Sequence, residues 1–128
     1  MQIRSGVGNV TLEDVKRILE AEVIACGELL SKDVRMACGS DLMSDVLAFV
    51  KSDALLLTGL VNPQVVRTAE MADLGSICFV RGKRPDEKTI KLAEANNIPM
   101  LTTPLSMFEA CGRLYREGVG SCFAGKKM

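Results

Sequence analysis

The sequence predicts an α/β fold: a three-layer α/β/α sandwich around a mainly parallel sheet. Three observations carry this. First, apolar runs centred on Leu56, Cys78 and Met100 recur about 22 residues apart, the length that a strand, a tight loop, a short helix and a return loop occupy. Second, the segments between them, N-P-Q-V-V-R-T-A-E-M-A from Asn62 and R-P-D-E-K-T-I-K-L-A-E-A-N-N from Arg84, carry helix signals. Strands alternating with helices imply parallel βαβ units with right-handed crossovers. Third, continuously apolar runs such as Ala54–Leu57 imply a sheet covered on both faces.

Taken in order, Thr11 is a helix N-cap followed by Glu13 and Asp14, with Leu12, Val15, Ile18 and Leu19 on one face. That helix is expected to reach about Ala21, and E-V-I-A-C from Glu22 reads as a strand. Gly27 to Asp33 is a connector with room for a helical turn at Glu28-Leu29-Leu30. A second strand is expected over Val34–Cys38, ended by Gly39. The next helix opens at Ser40 and runs to about Lys51, with either Ser40 or Ser44 as its cap. Its Asp41 and Asp45 stand four residues apart, on one helical face. Helix-start chemistry accounts for both; the functional alternative is a metal or acid–base pair.

Strands over Leu55–Thr58, Ile77–Val80 and Met100–Thr102 follow. Asn62 is the cap candidate for the first intervening helix, Pro63 takes its first position, and Val65, Val66, Ala69 and Ala72 form its buried stripe. The second intervening helix is expected to start at Pro85 and end near Asn97. Pro104 leads into a last helix whose Leu105, Phe108, Cys111 and Leu114 repeat at helical spacing. The whole chain reads as one domain over 1–128, with about 119–128 as a frayed tail.

Composition narrows the function classes. With 48% apolar and 25% charged residues the chain is globular rather than disordered. Sixteen basic residues balance 16 acidic ones, so no global field recruits nucleic acid or an anionic membrane. No apolar run approaches the ~20 residues that span a bilayer, and M-Q-I-R-S-G-V-G-N lacks the apolar core of a secretion signal. A cytoplasmic protein is expected. The five cysteines include no C-x-x-C pair and the chain has no histidine, so no metal site and no cofactor are expected. Cys26, Cys38 and Cys78 read as core thiols, while Cys122, in the tail, is the one expected to be exposed enough to react.

In a parallel sheet the loops after each strand share one edge, where ligands usually bind. Here that edge collects Ser40, Asp41, Thr58, Gly59, Asn62, Arg81, Gly82, Lys83, Arg84, Thr102 and Thr103. Backbone N–H groups at helix starts with a nearby Lys83 or Arg84 suit an anion, so a nucleotide or phosphorylated metabolite is the expected ligand class if one binds. The alternative is that the basic residues form a solvated turn and the glycines serve tight turns. Neither G-x-x-x-x-G-K-[ST] nor G-x-G-x-x-G is present. No catalytic constellation is visible: without histidine the usual general base is missing.

Four runs stand out: Arg84-Pro85-Asp86-Glu87, Leu92-Ala93, Asn97-Ile98-Pro99-Met100-Leu101 and Thr102-Thr103-Pro104-Leu105-Ser106. On these residues the segment from Asp41 to about Glu117 resembles a DRTGG domain, and also the N-terminal domain of HPr kinase/phosphorylase. The sequence departs from the family name: Gly59-Leu60-Val61 stands where Gly-Asp-Arg would, and Arg81-Gly82-Lys83 where Thr-Gly-Gly would. Gly59 and Gly82 alone carry over. The resemblance implies an HPr kinase N-terminal-domain-like fold and a non-enzymatic regulatory or protein-interaction module; no kinase activity transfers. A homodimer is expected, with Phe108, Tyr115 and Phe123 as its aromatic surface.

Overall fold

The structure, a computed structural model, describes residues 10–122. In chain order it comprises α1 (Leu12–Ile18), β1 (Glu22–Ala25), a 3-10 turn at Gly27–Leu29, β2 (Met36–Gly39), α2 (Met43–Phe49) and β3 (Leu55–Thr58). Then follow α3 (Pro63–Met71), β4 (Ser76–Phe79), α4 (Glu87–Ala95), β5 (Met100–Thr102), α5 (Met107–Arg116) and β6 (Gly120–Ser121). The six strands form one sheet in the order β1-β5-β4-β3-β2-β6. All neighbours are parallel except β1, which runs antiparallel to β5 at one edge.

Alternation along the central strands builds two cores. Leu56, Ile77, Phe79 and Met100 point to one face and pack with Val46 of α2, Val65, Val66 and Ala69 of α3 and Ala93 of α4. Leu55, Leu57, Cys78 and Leu101 point to the other and pack with Leu12 and Val15 of α1 and Ala110 and Leu114 of α5. The period-2 geometry of a strand produces this split. The expected three-layer architecture is therefore the observed one, with three helices on one face and two on the other.

The element ends differ from expectation in instructive ways. Thr11 caps α1 in a reciprocal capping box with Asp14, as its sequence suggests. Neither serine caps α2: Ser40 Oγ instead accepts from Leu42 N–H at 3.0 Å, a local turn that delays the helix to Met43. Asp41 thus lies outside the helix and shares no helical face with Asp45. Asn62 occupies the cap position of α3, but its side chain makes no capping bond. α4 starts at Glu87 rather than Pro85, because Asp86 accepts from Thr89 N–H at 2.9 Å and makes itself the cap. Ser106 does the same for α5. The second strand shifts to Met36–Gly39 and the fourth to Ser76–Phe79.

Two corrections bear on function. The inward face of α5 is Met107, Ala110, Cys111 and Leu114, whereas Phe108 is 88% exposed. The expected tail is, through Cys122, part of the sheet. Met36 and Ala37 of β2 pair with Gly120 and Ser121 of β6, and Cys122 is 0% exposed rather than on the surface of a loose tail. Two glycines near a turn masked the strand, since strand propensity there is low. Phe123 lies outside the described residues.

Candidate ligand site at the carboxyl edge of the sheet

The loops after β2, β3, β4 and β5 meet at one edge, as parallel connection requires. Asp41, leaving β2, reaches across to the end of β3, where its Oδ1 accepts from Gly59 N–H at 2.7 Å and from Thr58 Oγ1 at 2.9 Å. Thr58 Oγ1 itself accepts from Leu60 N–H at 3.1 Å. Arg81 Nη2 and the Asp41 carboxylate flank Gly59, 3.5 and 3.7 Å from where a β-carbon would sit. The Gly59 N–H bond, followed by the Thr58 hydroxyl and the charges of Arg81 and Lys83, outweighs partial burial and holds the Asp41 carboxyl below its ordinary value.

After β4 the chain turns sharply. Lys83 N–H donates to Val80 O at 3.1 Å across Arg81 (φ 56°) and Gly82 (φ 69°). Positive φ at both central residues is a type I′ turn, which explains Gly82 and places Arg81 in a conformation unusual for a side-chain-bearing residue. The turn is tied to the β5 loop by Gly82 N–H to Thr103 O at 2.8 Å and Arg81 N–H to Leu105 O at 2.8 Å.

The expected residues thus divide. Asp41, Thr58, Gly59 and Arg81 converge on one point. Asn62, Lys83 and Arg84 line an adjoining cleft of about 480 Å³ together with Gly59, Pro63 and Asp86. Thr102 and Thr103 face elsewhere: Thr102 Oγ1 donates to Lys83 O at 2.7 Å, and Thr103 Oγ1 to Leu19 O at 2.6 Å. Ser40 serves its own loop. Arg84 pairs with Glu22 of β1 at 3.1 Å. The donors that would have met an anion at Thr58-Gly59 hold the chain's own carboxylate. Among the described residues, no group of three His, Cys, Asp or Glu could hold a metal ion, and no helix is long and apolar enough to cross a membrane.

A second concavity went unread in the sequence. Among the described residues, an apolar groove of about 500 Å³ beside α5 opens over Ala37, Gly39, Gly120 and Ser121. Phe108 and Tyr115 stand at its mouth, 88% and 77% exposed. Their spacing of seven puts both on one helical face; the sequence offers the two as aromatic surface, but not the groove beside them.

A three-layer α/β domain whose carboxyl-edge loops are knitted together by a carboxylate and a type I′ turn is the class of protein these features define. The model of the DRTGG domain matches residues 14–116, and the chain belongs to the DRTGG domain family. Its fold is similar to a crystal structure of the CBS and DRTGG domains of the regulatory region of Clostridium perfringens pyrophosphatase, complexed with its activator diadenosine tetraphosphate (TM-score 0.64, 18% identity). The likeness covers 90% of this chain and 48% of that one, so the chain spans about half the length of that structure. No curated protein matches the sequence.

Proposed function

We propose that this DRTGG domain is a non-enzymatic regulatory module that acts by self-association through the α5 groove. The observation that supports this most is the pairing of two exposed aromatic side chains, Phe108 and Tyr115, with an apolar groove beside β6, the outermost strand among the described residues. Large apolar groups around a concavity mark interaction surfaces. We take the occupant to be a second copy of the chain, whose net charge of zero sets no global repulsion between copies. Light scattering at tens of micromolar gives a dimer mass for the native chain. The double change Phe108→Ser with Tyr115→Ser gives a monomer of unchanged circular dichroism. A native monomer overturns the reading.

A second reading rests on the cleft beside Lys83 and Arg84: a sensor for a nucleotide or phosphorylated metabolite. The nucleotide activator of the pyrophosphatase region lends it support, as does a cleft lined by Lys83 and Arg84 on the edge where parallel sheets usually bind ligands. A thermal-shift screen with nucleotides tests it. A ligand at 100 times its dissociation constant stabilises the fold by about 2.7 kcal/mol, and Lys83→Ala with Arg84→Ala abolishes the shift. A shift that survives the double change places the site elsewhere.

A further inference from the structure

Two cysteines far apart in sequence are neighbours in the sheet. The parallel register Met36 to Gly120 and Ala37 to Ser121 runs on to set Cys38 beside Cys122, and Cys122 N–H donates to Ala37 O at 3.2 Å. Both side chains enter the same core layer, on the α2 side of the sheet. Strands are spaced about 4.7–4.9 Å apart, inside the ~4.4–6.8 Å Cα range that a disulfide spans. We propose that Cys38 and Cys122 are a redox modification site, a dithiol that a hydroperoxide converts to a disulfide clamping β6 to β2.

The two thiols hydrogen-bond to each other, which raises Cys38 and lowers Cys122 from the ordinary thiol value. Cys122, at the end of the outermost described strand, is the sulfur that a peroxide reaches first and so the attacking one. Cys122 is buried, but β6 has two residues and is the outermost strand among the described residues, and short outer strands open locally at lower free-energy cost than central ones. On opening, the Cys122 thiolate attacks one peroxide oxygen. The S–O bond forms, the O–O bond breaks, and the departing hydroxide or alkoxide takes the proton that Cys122 released. Cys38 sulfur then attacks the sulfenic sulfur of Cys122. The S–S bond forms, the S–O bond breaks, and hydroxide leaves as water with the Cys38 proton. Two thiols lose two electrons and the peroxide gains them.

The other thiols are placed differently. Cys111 stands on the opposite face, near Gly39, and Cys78 is sealed in the sheet centre with its thiol pushed up to about 12 by burial. This inference is independent of any partner or ligand.

The test uses the full reduced chain and hydrogen peroxide, followed by unfolding, thiol alkylation and mass spectrometry. Two of the five thiols become unreactive, the intact chain is two hydrogens lighter, and a peptide linking Cys38 to Cys122 is recovered. Dithiothreitol restores both thiols. Cys38→Ser and Cys122→Ser each abolish the link, and Cys111→Ser leaves it. Five alkylated thiols after peroxide, a link through Cys78 or Cys111, or a link between chains overturns the proposal. The native chain decides the matter by itself if a serine variant fails to fold.

Discussion

Replacing Asp41 by alanine removes the acceptor that joins the loops after β2 and β3. Two bonds are lost, from Gly59 N–H at 2.7 Å and Thr58 Oγ1 at 2.9 Å. Hydrogen bonds to a charged acceptor contribute about 1.5–3 kcal/mol each when water is excluded. Asp41 is exposed, however, so water takes over part of both bonds and solvent screening weakens the attraction of Arg81 and Lys83. The expected loss is about 1–2 kcal/mol at pH 7, a fall in Tm of roughly 3–8 °C for a domain of this size. The pH dependence isolates the carboxylate. Its folded value lies below the ordinary 3.8, so its charge-dependent contribution is fully present above pH ~4 and is lost as pH falls through the folded value. Thermal melts of native and Asp41→Ala protein at pH 7, 5, 4 and 3 therefore show a gap that is constant down to about pH 4 and narrows below it. An equal Tm at pH 7, or a gap that does not narrow at low pH, refutes the assignment of stability to the ionised carboxylate.

Other consequences can be checked directly. Thr103→Val removes a buried hydroxyl that donates to Leu19 O and accepts from Leu105 N–H, and urea melts should show a loss of about 1–3 kcal/mol. Leu56→Ala, at a fully buried position in the middle of the sheet, should cost about 2–5 kcal/mol and lower the urea midpoint with the slope unchanged. Gly75→Ala would bring its β-carbon to 3.0 Å from the Asp53 backbone oxygen, so its Tm should fall where Gly112→Ala, with open space around it, leaves Tm within a few degrees.

The central βαβαβ stretch was legible in the sequence because its signals are local. Apolar runs, Pro63 at a helix start and Asp86 near another each act within a few residues, and the expected strands Leu55–Thr58 and Met100–Thr102 match those observed. What escaped depends on distant partners. Gly120-Ser121 has no strand propensity of its own and becomes β6 because β2 lies beside it. Topology does bring the expected loops to one edge, yet the partner of Gly59 is a carboxylate 18 residues earlier, and composition alone could not choose between a bound anion and this internal one. Thr102 and Thr103 sit at the right strand end but turn to Lys83 and Leu19 carbonyls, a choice of rotamer and packing rather than of sequence pattern. Phe108 fits the apolar repeat by spacing, but among the described residues no element covers its side of α5.

The sheet order has a kinetic corollary. β3, β4 and β5 are linked by short crossovers, so their pairings close small loops. Both edges instead join segments about 80 residues apart: Glu22 with Thr102 at one side and Met36 with Gly120 at the other. Loop closure costs more entropy as the loop lengthens, and distant contacts form late. β3, β4 and β5 therefore make up the nucleus, with substitutions such as Leu56→Ala slowing refolding. Changes in β1 or β6 should instead speed unfolding and leave the refolding rate nearly untouched.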